Sequence, residues 1–148
     1  MKNKTKKLLI ISVLGLIIID QFTKSIALRF LLFPIGNEFF GLELVHNTGM
    51  AFGFNNGNLK NIFLTIFVLL IILNFLKNQI ERIDKKTTFA ISLVISGGIS
   101  NLIDRIFRGS VTDFIKIYKI PNFNIADICI VIGWVLLIIF LIDYTRKN

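Results

Sequence analysis

The sequence predicts an all-α membrane protein, a bundle of four transmembrane helices. The chain has 148 residues, of which 54% are hydrophobic, and its mean hydropathy is +0.74. A soluble domain of this length cannot bury so much apolar surface in one core, so a soluble enzyme is excluded. Four windows of about 20 mostly apolar residues, each long enough to span a bilayer core, are joined by more polar segments. We therefore expect a single integral-membrane domain over residues 1–148.

Charge and reactive residues narrow the classes further. The 17 Lys and Arg residues outnumber the 9 Asp and Glu residues, which gives a formal net charge of +8. In so apolar a chain this excess favours contact with anionic membrane lipids, and we expect no nucleic-acid partner. A single cysteine, Cys129, excludes a disulfide framework, and a single histidine, His46, excludes a metal site built from histidines. We expect neither a metal nor a cofactor.

The first helix is predicted at about residues 8–28. Its apolar run begins at Leu8 and continues past Asp20. A basic start followed by an apolar run also fits a cleavable signal peptide, with Ser25-Ile26-Ala27 as the cleavage site. Asp20 and Lys24 interrupt the sequence between the apolar run and that site, however. Retention as a first spanning helix is therefore the better interpretation.

The other helices are predicted at about residues 59–76, 88–107 and 126–142. The second window is the cleanest, the third carries Ser, Gly, Asn, Asp and Arg, and the fourth is apolar apart from its ends. Ten of the 17 basic residues lie before helix one, between helices two and three, or after helix four. Because Lys and Arg favour cytoplasmic loops, both termini should be cytoplasmic. Connections 29–58 and 108–125 should then face outward.

Polar residues within the spans gather toward the outer end. Asp20 lies about 18 Å along helix one, and Lys24, one turn later, can form an ion pair with it. Helix three has a polar stripe at four-residue spacing, with small and polar neighbours: Ser92, Ser96, Ser100 and Asp104, beside Gly97, Asn101 and Arg105. Packing accounts for the serines and glycines, so helix three should be central. For the Asn, Asp and Arg, a structural network and direct chemistry both remain open.

Two further acids lie where the chain should face outward. Asp113 is in the second long connection, and Asp127 is at the mouth of helix four. Taken alone, Asp113 could be a solvated loop acid and Asp127 a helix N-terminal acid. Together with Asp20 and Asp104 they bring four acids to one end of the bundle. A pair with one ionised and one protonated Asp can activate water and protonate a leaving amine, which cleaves a peptide.

Two other functions and one other catalytic mechanism could use residues of these types. Intramembrane carboxylates are typical of ion- or proton-coupled transporters, although such sites lie near the midplane and the inner halves of three helices hold almost nothing ionisable. A binding or chaperone protein that does not cut its clients would have no reason to keep both Asp113 and Asp127. A thiol mechanism would pair Cys129 with His46, but Cys129 precedes an apolar run that indicates simple burial.

Five short motifs, in order along nearly the whole chain, resemble the bacterial lipoprotein signal peptidases, the type II signal peptidases. They are Asp20-Gln21-Phe22-Thr23-Lys24, Asn47-Thr48-Gly49-Met50-Ala51-Phe52-Gly53, Asn101-Leu102-Ile103-Asp104-Arg105, Val111-Thr112-Asp113-Phe114 and Phe123-Asn124-Ile125-Ala126-Asp127. Each motif alone is weak. Five in order on a four-span chain of this length are highly specific.

The resemblance implies an intramembrane aspartyl endopeptidase of the bacterial inner membrane, with its active site at the outer face. It would cleave diacylglyceryl-modified prolipoproteins just before the lipidated Cys, and we expect a monomer. Asp113 and Asp127 would be the catalytic dyad. By the same motifs, the residues that support substrate or dyad would be Asn47, Gly49, Asn101, Arg105, Asn124 and Ala126. Those that hold the architecture would be Asp20, Lys24 and Asp104.

The resemblance also implies a small extracytoplasmic β-structure and a short surface helix between helices one and two. Alternation over Gly41 to His46 permits a strand there. Two positions depart from the family's usual pattern. Ser100 stands where Gly is usual, which should slightly widen a helix contact, and Met50 stands where Ala is usual, which could alter the substrate groove. Four phenylalanines either guide acyl chains or anchor at the interface: Phe39, Phe40, Phe52 and Phe54.

Overall fold

The computed structural model of the protein describes residues 2–49, 58–79 and 83–147. These hold four helices and four strands, in the order α1 (Lys2–Phe30), β1 (Ile35–Gly36), β2 (Phe40–Asn47), α2 (Asn58–Gln79), α3 (Lys85–Phe107), β3 (Val111–Ile117), β4 (Ile120–Phe123) and α4 (Ile125–Lys147). Each helix contains a stretch long and apolar enough to cross a membrane. The predictions of four such helices and of a small β-structure are confirmed.

The helices extend beyond the apolar windows, because hydropathy detects only the part of a helix that suits hydrocarbon. α3 shows one cause at its start. The Asp84 carboxylate accepts a hydrogen bond of 2.7 Å from the Thr87 backbone N–H, so Asp84 is an N-cap and α3 begins at Lys85. A hydrogen bond with the Thr87 side chain, followed by this backbone hydrogen bond, lowers the pKa of Asp84 below its ordinary value.

Both ends of the bundle are defined by the chain order. α1 and α3 lead into the sheet, and α4 leaves it, so all three have one terminus at the sheet; we call this the sheet end. α2 starts there too, since the Asn58 side chain donates to the Arg105 carbonyl oxygen near the end of α3. The start of α1, the end of α2, the start of α3 and the end of α4 therefore lie at the opposite end.

Helix α3 is central, as its polar stripe predicts. It packs against α1, α2 and α4. Ser92, Ser96, Ser100 and Asp104 are at most 1% exposed. A Cβ on Gly97 would lie 2.4 Å from the Ala126 carbonyl oxygen, so α3 and α4 approach as closely as glycine allows. This contact brings the start of α4 against α3.

The sheet is antiparallel throughout, in the order β1-β2-β3-β4. The predicted strand within Gly41 to His46 is confirmed as part of β2, whereas β3 and β4 lie in a connection for which no strand was predicted. The pairing of β2 with β3 shifts between Leu42 and Val45, the partner of Asp113. Such an irregularity re-aims a nearby side chain. Residues 31–49 contain no helix; Met50 to Gly53 and Phe54 lie outside the described residues, and the short surface helix remains a prediction.

Candidate active site

Asp113 and Asp127, which we call the candidate dyad, are joined by the side chain of Asn124. Asp113 is in β3 and 1% exposed, and Asn124 is fully buried directly before α4. The Asn124 Nδ2 donates to Asp113 Oδ1 over 2.6 Å, and its Oδ1 accepts from the Asp127 backbone N–H over 2.9 Å. One buried amide therefore contacts both acids. The interpretation of Asp113 as a solvated loop acid is wrong, because the strand buries it.

Asp127 also caps its own helix, so the interpretation of it as a helix N-terminal acid is confirmed. Asn124 and Asp127 form a reciprocal pair of side-chain to backbone bonds, since the Asn124 backbone N–H donates to Asp127 Oδ2 over 3.2 Å. This is the arrangement of a capping box, which fixes the start of a helix. The other carboxylate oxygen, Oδ1, accepts from Asn101 Nδ2 over 2.8 Å. The carboxylate is thereby held in one orientation.

A third asparagine, Asn47 in β2, completes the set of donors. Its Nδ2 donates to Asp113 Oδ2 over 2.9 Å, and its Oδ1 accepts from the Gly49 backbone N–H. Among the described residues, each of the four carboxylate oxygens accepts from a neutral amide rather than from a charged side chain. Neutral donors orient two neighbouring acids without holding both in the ionised state.

Burial makes Asp113 a weaker acid than usual. Burial and, to a smaller extent, the negative charge of Asp127 raise the pKa of Asp113 from 3.8 to about 6, against the hydrogen bonds from Asn47 and Asn124, which lower it. An acid in this range can hold or release a proton at nearly neutral pH. Perturbation of this kind, with a neighbouring acid as one cause, is typical of acid–base sites.

Two buried acids on the helices hold the backbone beside the candidate dyad; we call Asp20 and Asp104 the anchor acids. Asp20 Oδ1 accepts from the Ala126 backbone N–H over 2.7 Å, and Ala126 directly precedes Asp127. Asp104 Oδ2 accepts from the Thr112 backbone N–H over 2.9 Å, and Thr112 directly precedes Asp113. Each anchor acid therefore fixes the backbone directly before one acid of the candidate dyad.

Lys24, which is fully buried, links the anchor acids. The predicted ion pair with Asp20 is confirmed, at 2.8 Å, and the same Nζ lies 3.3 Å from Asp104 Oδ2. It also donates to Asn101 Oδ1 over 2.8 Å. Because that oxygen faces Lys24, the Nδ2 of Asn101 is the group that faces Asp127. Lys24 therefore orients a donor of the candidate dyad as well as balancing two buried charges.

Arg105 and α2 close the site on another side. The Arg105 guanidinium donates to the Gly49 carbonyl oxygen over 3.2 Å, and its charge interacts with both acids of the candidate dyad. Its Nε is buried without a hydrogen-bond partner in the described part of the chain. Asn58 of α2 holds the Arg105 backbone. A cation in this place can stabilise negative charge that develops on a substrate.

All eleven predicted site residues belong to one continuous network. Sequence reasoning missed several other members: Gln21, Asn58, Arg108 and Thr112, and the hydrogen bonding of Ser100. Gln21 donates to Asp104, which also pairs with Arg108. Gln21 was visible in the first motif, and Ser100 was assigned to packing alone. Thr112 acts through its backbone N–H, for which no side-chain pattern gives a signal.

Two other features lie apart from this network: the two residues of the thiol mechanism and an apolar groove. Cys129 is buried in α4 and His46 is exposed on β2, and no hydrogen bond joins them in the structure described, so the thiol mechanism gains no support. An apolar groove of about 280 Å³ lies between α1 and the sheet and is lined in part by Phe114. Phe114 follows Asp113 in β3, so the two side chains point to opposite faces. In the described residues no cluster of His, Cys, Asp or Glu could hold a metal ion.

Known proteins resemble this chain over nearly all of its length. The sequence model of a family described as Signal peptidase (SPase) II matches residues 12–143. A lipoprotein signal peptidase of Symbiobacterium thermophilum is 38% identical over 141 residues, covering 89% of this chain and 92% of its own. One from Haemophilus ducreyi is 40% identical and covers 91% of each chain. A bacterial membrane enzyme solved by the in meso method at 2.3 Å is 30% identical, with a TM-score of 0.84 over 95% of this chain and 90% of that one.

Proposed function

The chain belongs to the signal peptidase II family, and from that premise we propose that it removes signal peptides from prolipoproteins. It is a multi-pass bacterial membrane protein with four apolar helices. The relatives named above are lipoprotein signal peptidases, of which this chain covers nine-tenths. An ion-coupled transporter has no support among these relatives, and no feature of the site favours it.

The proposed mechanism is that of an aspartic peptidase, with Asp113 and Asp127 as the reacting acids. The observation that carries it is the pair of carboxylates bridged by one buried amide, Asn124. The ionised acid takes a proton from water while the water oxygen bonds to the scissile carbonyl carbon. The protonated acid gives its proton to the leaving amide nitrogen as the carbon–nitrogen bond breaks. The apparent pKa values of such a pair belong to both acids together.

The other site residues receive supporting roles in this proposal. Asn47, Asn101 and Asn124 orient the acids through the amide bonds described. Gly49 and Arg105 shape the side of the site that receives the scissile peptide, and Ala126 presents its N–H to an anchor acid. Asp20, Lys24 and Asp104 hold the architecture. No metal and no cofactor takes part in the step as written.

The proposed substrate is a diacylglyceryl-modified prolipoprotein, cut just before its lipidated Cys. Asp127 lies in the first turn of α4 and Arg105 in the last turn of α3, so the site is at one end of the spans. The signal helix of such a substrate occupies the bilayer, which brings its lipidated end to the same level. We propose that this level is the outer face, that both termini are cytoplasmic, and that the enzyme works as a monomer among membrane lipids, without nucleic acid.

The test is cleavage of a purified prolipoprotein with and without its diacylglyceryl group, followed by gel shift. Wild-type protein should cut only the lipidated form. Asp113→Asn and Asp127→Asn should each lose cleavage by at least about a thousandfold, since each removes a group that reacts. Cys129→Ala is the matched control near the site and should remain active. Near wild-type cleavage by either Asn variant would refute the dyad, and equal cleavage of both substrates would refute the substrate class.

A further inference from the structure

The buried serine hydroxyls of α3 make two kinds of hydrogen bond. Ser92 and Ser96 donate to carbonyl oxygens three residues earlier in the same helix, over 2.6 and 2.9 Å. Ser100 lies on the same stripe and is equally buried, but its hydroxyl crosses to α1 and donates to Asp20 Oδ2 over 2.6 Å. Of these three serines, Ser100 alone bonds to another helix through its side chain.

The hydroxyl of Ser100 orients the carboxylate of Asp20. That carboxylate uses Oδ2 for Lys24 and Ser100, and Oδ1 for the Ala126 backbone N–H. Lys24 ends in a rotatable ammonium on a long flexible stem, so it balances the charge of the carboxylate but constrains its orientation only weakly. A hydroxyl on a short side chain of a packed helix constrains that orientation more strongly. With Oδ2 held by both, Oδ1 is aimed at the residue that precedes Asp127.

Ser100 also accepts a hydrogen bond, and this second contact connects the two anchor acids. The Gln21 Nε2 lies 2.9 Å from the Ser100 Oγ and 3.0 Å from Asp104 Oδ1. The chain of bonds therefore runs from Asp104 through Gln21 and Ser100 to Asp20. Lys24 joins the same two acids by a separate route. Each anchor acid holds the residue that precedes one acid of the candidate dyad. Both routes therefore affect the position of Asp113 relative to Asp127.

We propose that Ser100 is a positioning residue for the candidate dyad. Its hydroxyl fixes the Asp20 carboxylate and, with Gln21, forms a second bridge between the anchor acids beside Lys24. Without it, Asp20 turns away from Ala126 and the start of α4 shifts relative to Asp113. The inference rests on the proposed function, because it takes Asp113 and Asp127 as the reacting acids. It concerns the chemical step, since Ser100 is fully buried and meets no substrate.

The experiment compares Ser100→Ala with Ser96→Ala in steady-state cleavage of a lipidated prolipoprotein. Both variants remove one buried hydroxyl from the same helix face, one turn apart, and only the first breaks a bond between helices. We expect kcat of Ser100→Ala to fall about tenfold, as for loss of one hydrogen bond to a charged group, with KM within about twofold. Ser96→Ala should keep both constants within about twofold of wild type.

Two results would overturn the proposal: equal kcat for the two variants, or a change in KM alone for Ser100→Ala. If Ser100→Ala does not accumulate, Gln21→Met breaks the same bridge from α1, and an unchanged kcat there overturns the proposal. Failure of the proposed function is distinguishable. Active Asp113→Asn or Asp127→Asn protein refutes the dyad itself, whereas inactive Asn variants beside a normal Ser100→Ala refute only the positioning role.

Discussion

At the scale of single residues, the candidate site is an arrangement of amides around acids. Asn124 has its donor on Asp113 and its acceptor on Asp127, and Asn47 and Asn101 each hold one further carboxylate oxygen. Asparagine suits this place because it orients a carboxylate without adding a charge. The buried charges of Lys24 and the anchor acids lie next to these groups, where they fix the backbone that precedes each acid of the candidate dyad.

The raised pKa of Asp113 predicts the pH dependence of cleavage. That pKa is raised from 3.8 to about 6, chiefly by burial, so Asp113 releases its proton as the pH rises through about 6. If the pair works with one shared proton, kcat/KM should fall as the pH rises above that value. The profile is measured with lipidated prolipoprotein over pH values from about 5 to about 8. A rate that is constant or rising across this range would contradict the assignment.

The same shift has a defined sign for stability. Between pH 3.8 and about 6, unfolded Asp113 has lost its proton while folded Asp113 keeps it. The folded state then binds more protons than the unfolded state, so the contribution of this group to stability falls as the pH rises through that window. Unfolding followed at each pH therefore serves as the control that separates loss of catalysis from loss of folded protein.

Lys24→Met should be strongly destabilising. The change leaves Asp20 without its cation and Asp104 with only Arg108, in a region where Lys24 and both acids are at most 1% exposed. Removing one member of a buried charge cluster costs about 3–5 kcal/mol. Thermal unfolding in detergent measures the loss.

The matched control for Lys24→Met is Lys116→Met, which breaks a pair with Glu43 in the sheet. Its two side chains are about one-third exposed, and their Nζ and Oε2 atoms lie 2.6 Å apart. Exposed pairs contribute about 1 kcal/mol or less because water screens them. Equal losses of stability in the two variants would show that burial of Lys24 has no special effect.

At the scale of elements, the packing of α3 on α4 positions Asp127. A Cβ at Gly97 would meet the Ala126 carbonyl oxygen, a backbone atom that cannot move aside without shifting α4. Gly97→Ala should therefore lower the thermal midpoint and reduce cleavage together, because Ala126 directly precedes Asp127. Gly15→Ala in α1 is the control, since nothing lies within 4 Å of its added Cβ. It should stabilise by up to about 1 kcal/mol through helix propensity. Full activity of Gly97→Ala would contradict this account.

The elements also show what the sequence could predict. The four spans follow from hydropathy because each is a long local signal. β3 and β4 were missed because both are short, and because β3 pairs with β2, far along the chain, through a register shift that no local pattern encodes. Asp113 and Asp127 stood out as acids near an apolar boundary. Asn124 stood out only through its motif, because its role depends on β3 meeting the start of α4. The bridge through Gln21 and Ser100 was missed since either residue is ordinary in a packed helix.

At the scale of the whole molecule, chain order divides the protein into two ends with different tasks. The sheet, the anchor acids and the candidate dyad lie at the sheet end. The start of α1, the end of α2, the start of α3 and the end of α4 lie at the other, with basic residues that include Lys85 and Lys86. Because Lys and Arg favour cytoplasmic loops, the sheet end should face outward. A substrate lipidated in the outer leaflet would then meet the dyad at the level of its own lipid.

Labelling of introduced cysteines tests this orientation directly. In a Cys129→Ala background, Glu38→Cys places an exposed thiol at the sheet end and Lys86→Cys places one at the opposite end. A membrane-impermeant maleimide added to intact spheroplasts should label Glu38→Cys, and Lys86→Cys should react only after lysis, because the bilayer keeps the reagent out. Each variant must retain cleavage, so that a misinserted protein is not scored. The reverse labelling pattern would place the dyad on the cytoplasmic side, where a substrate lipidated in the outer leaflet could not reach it.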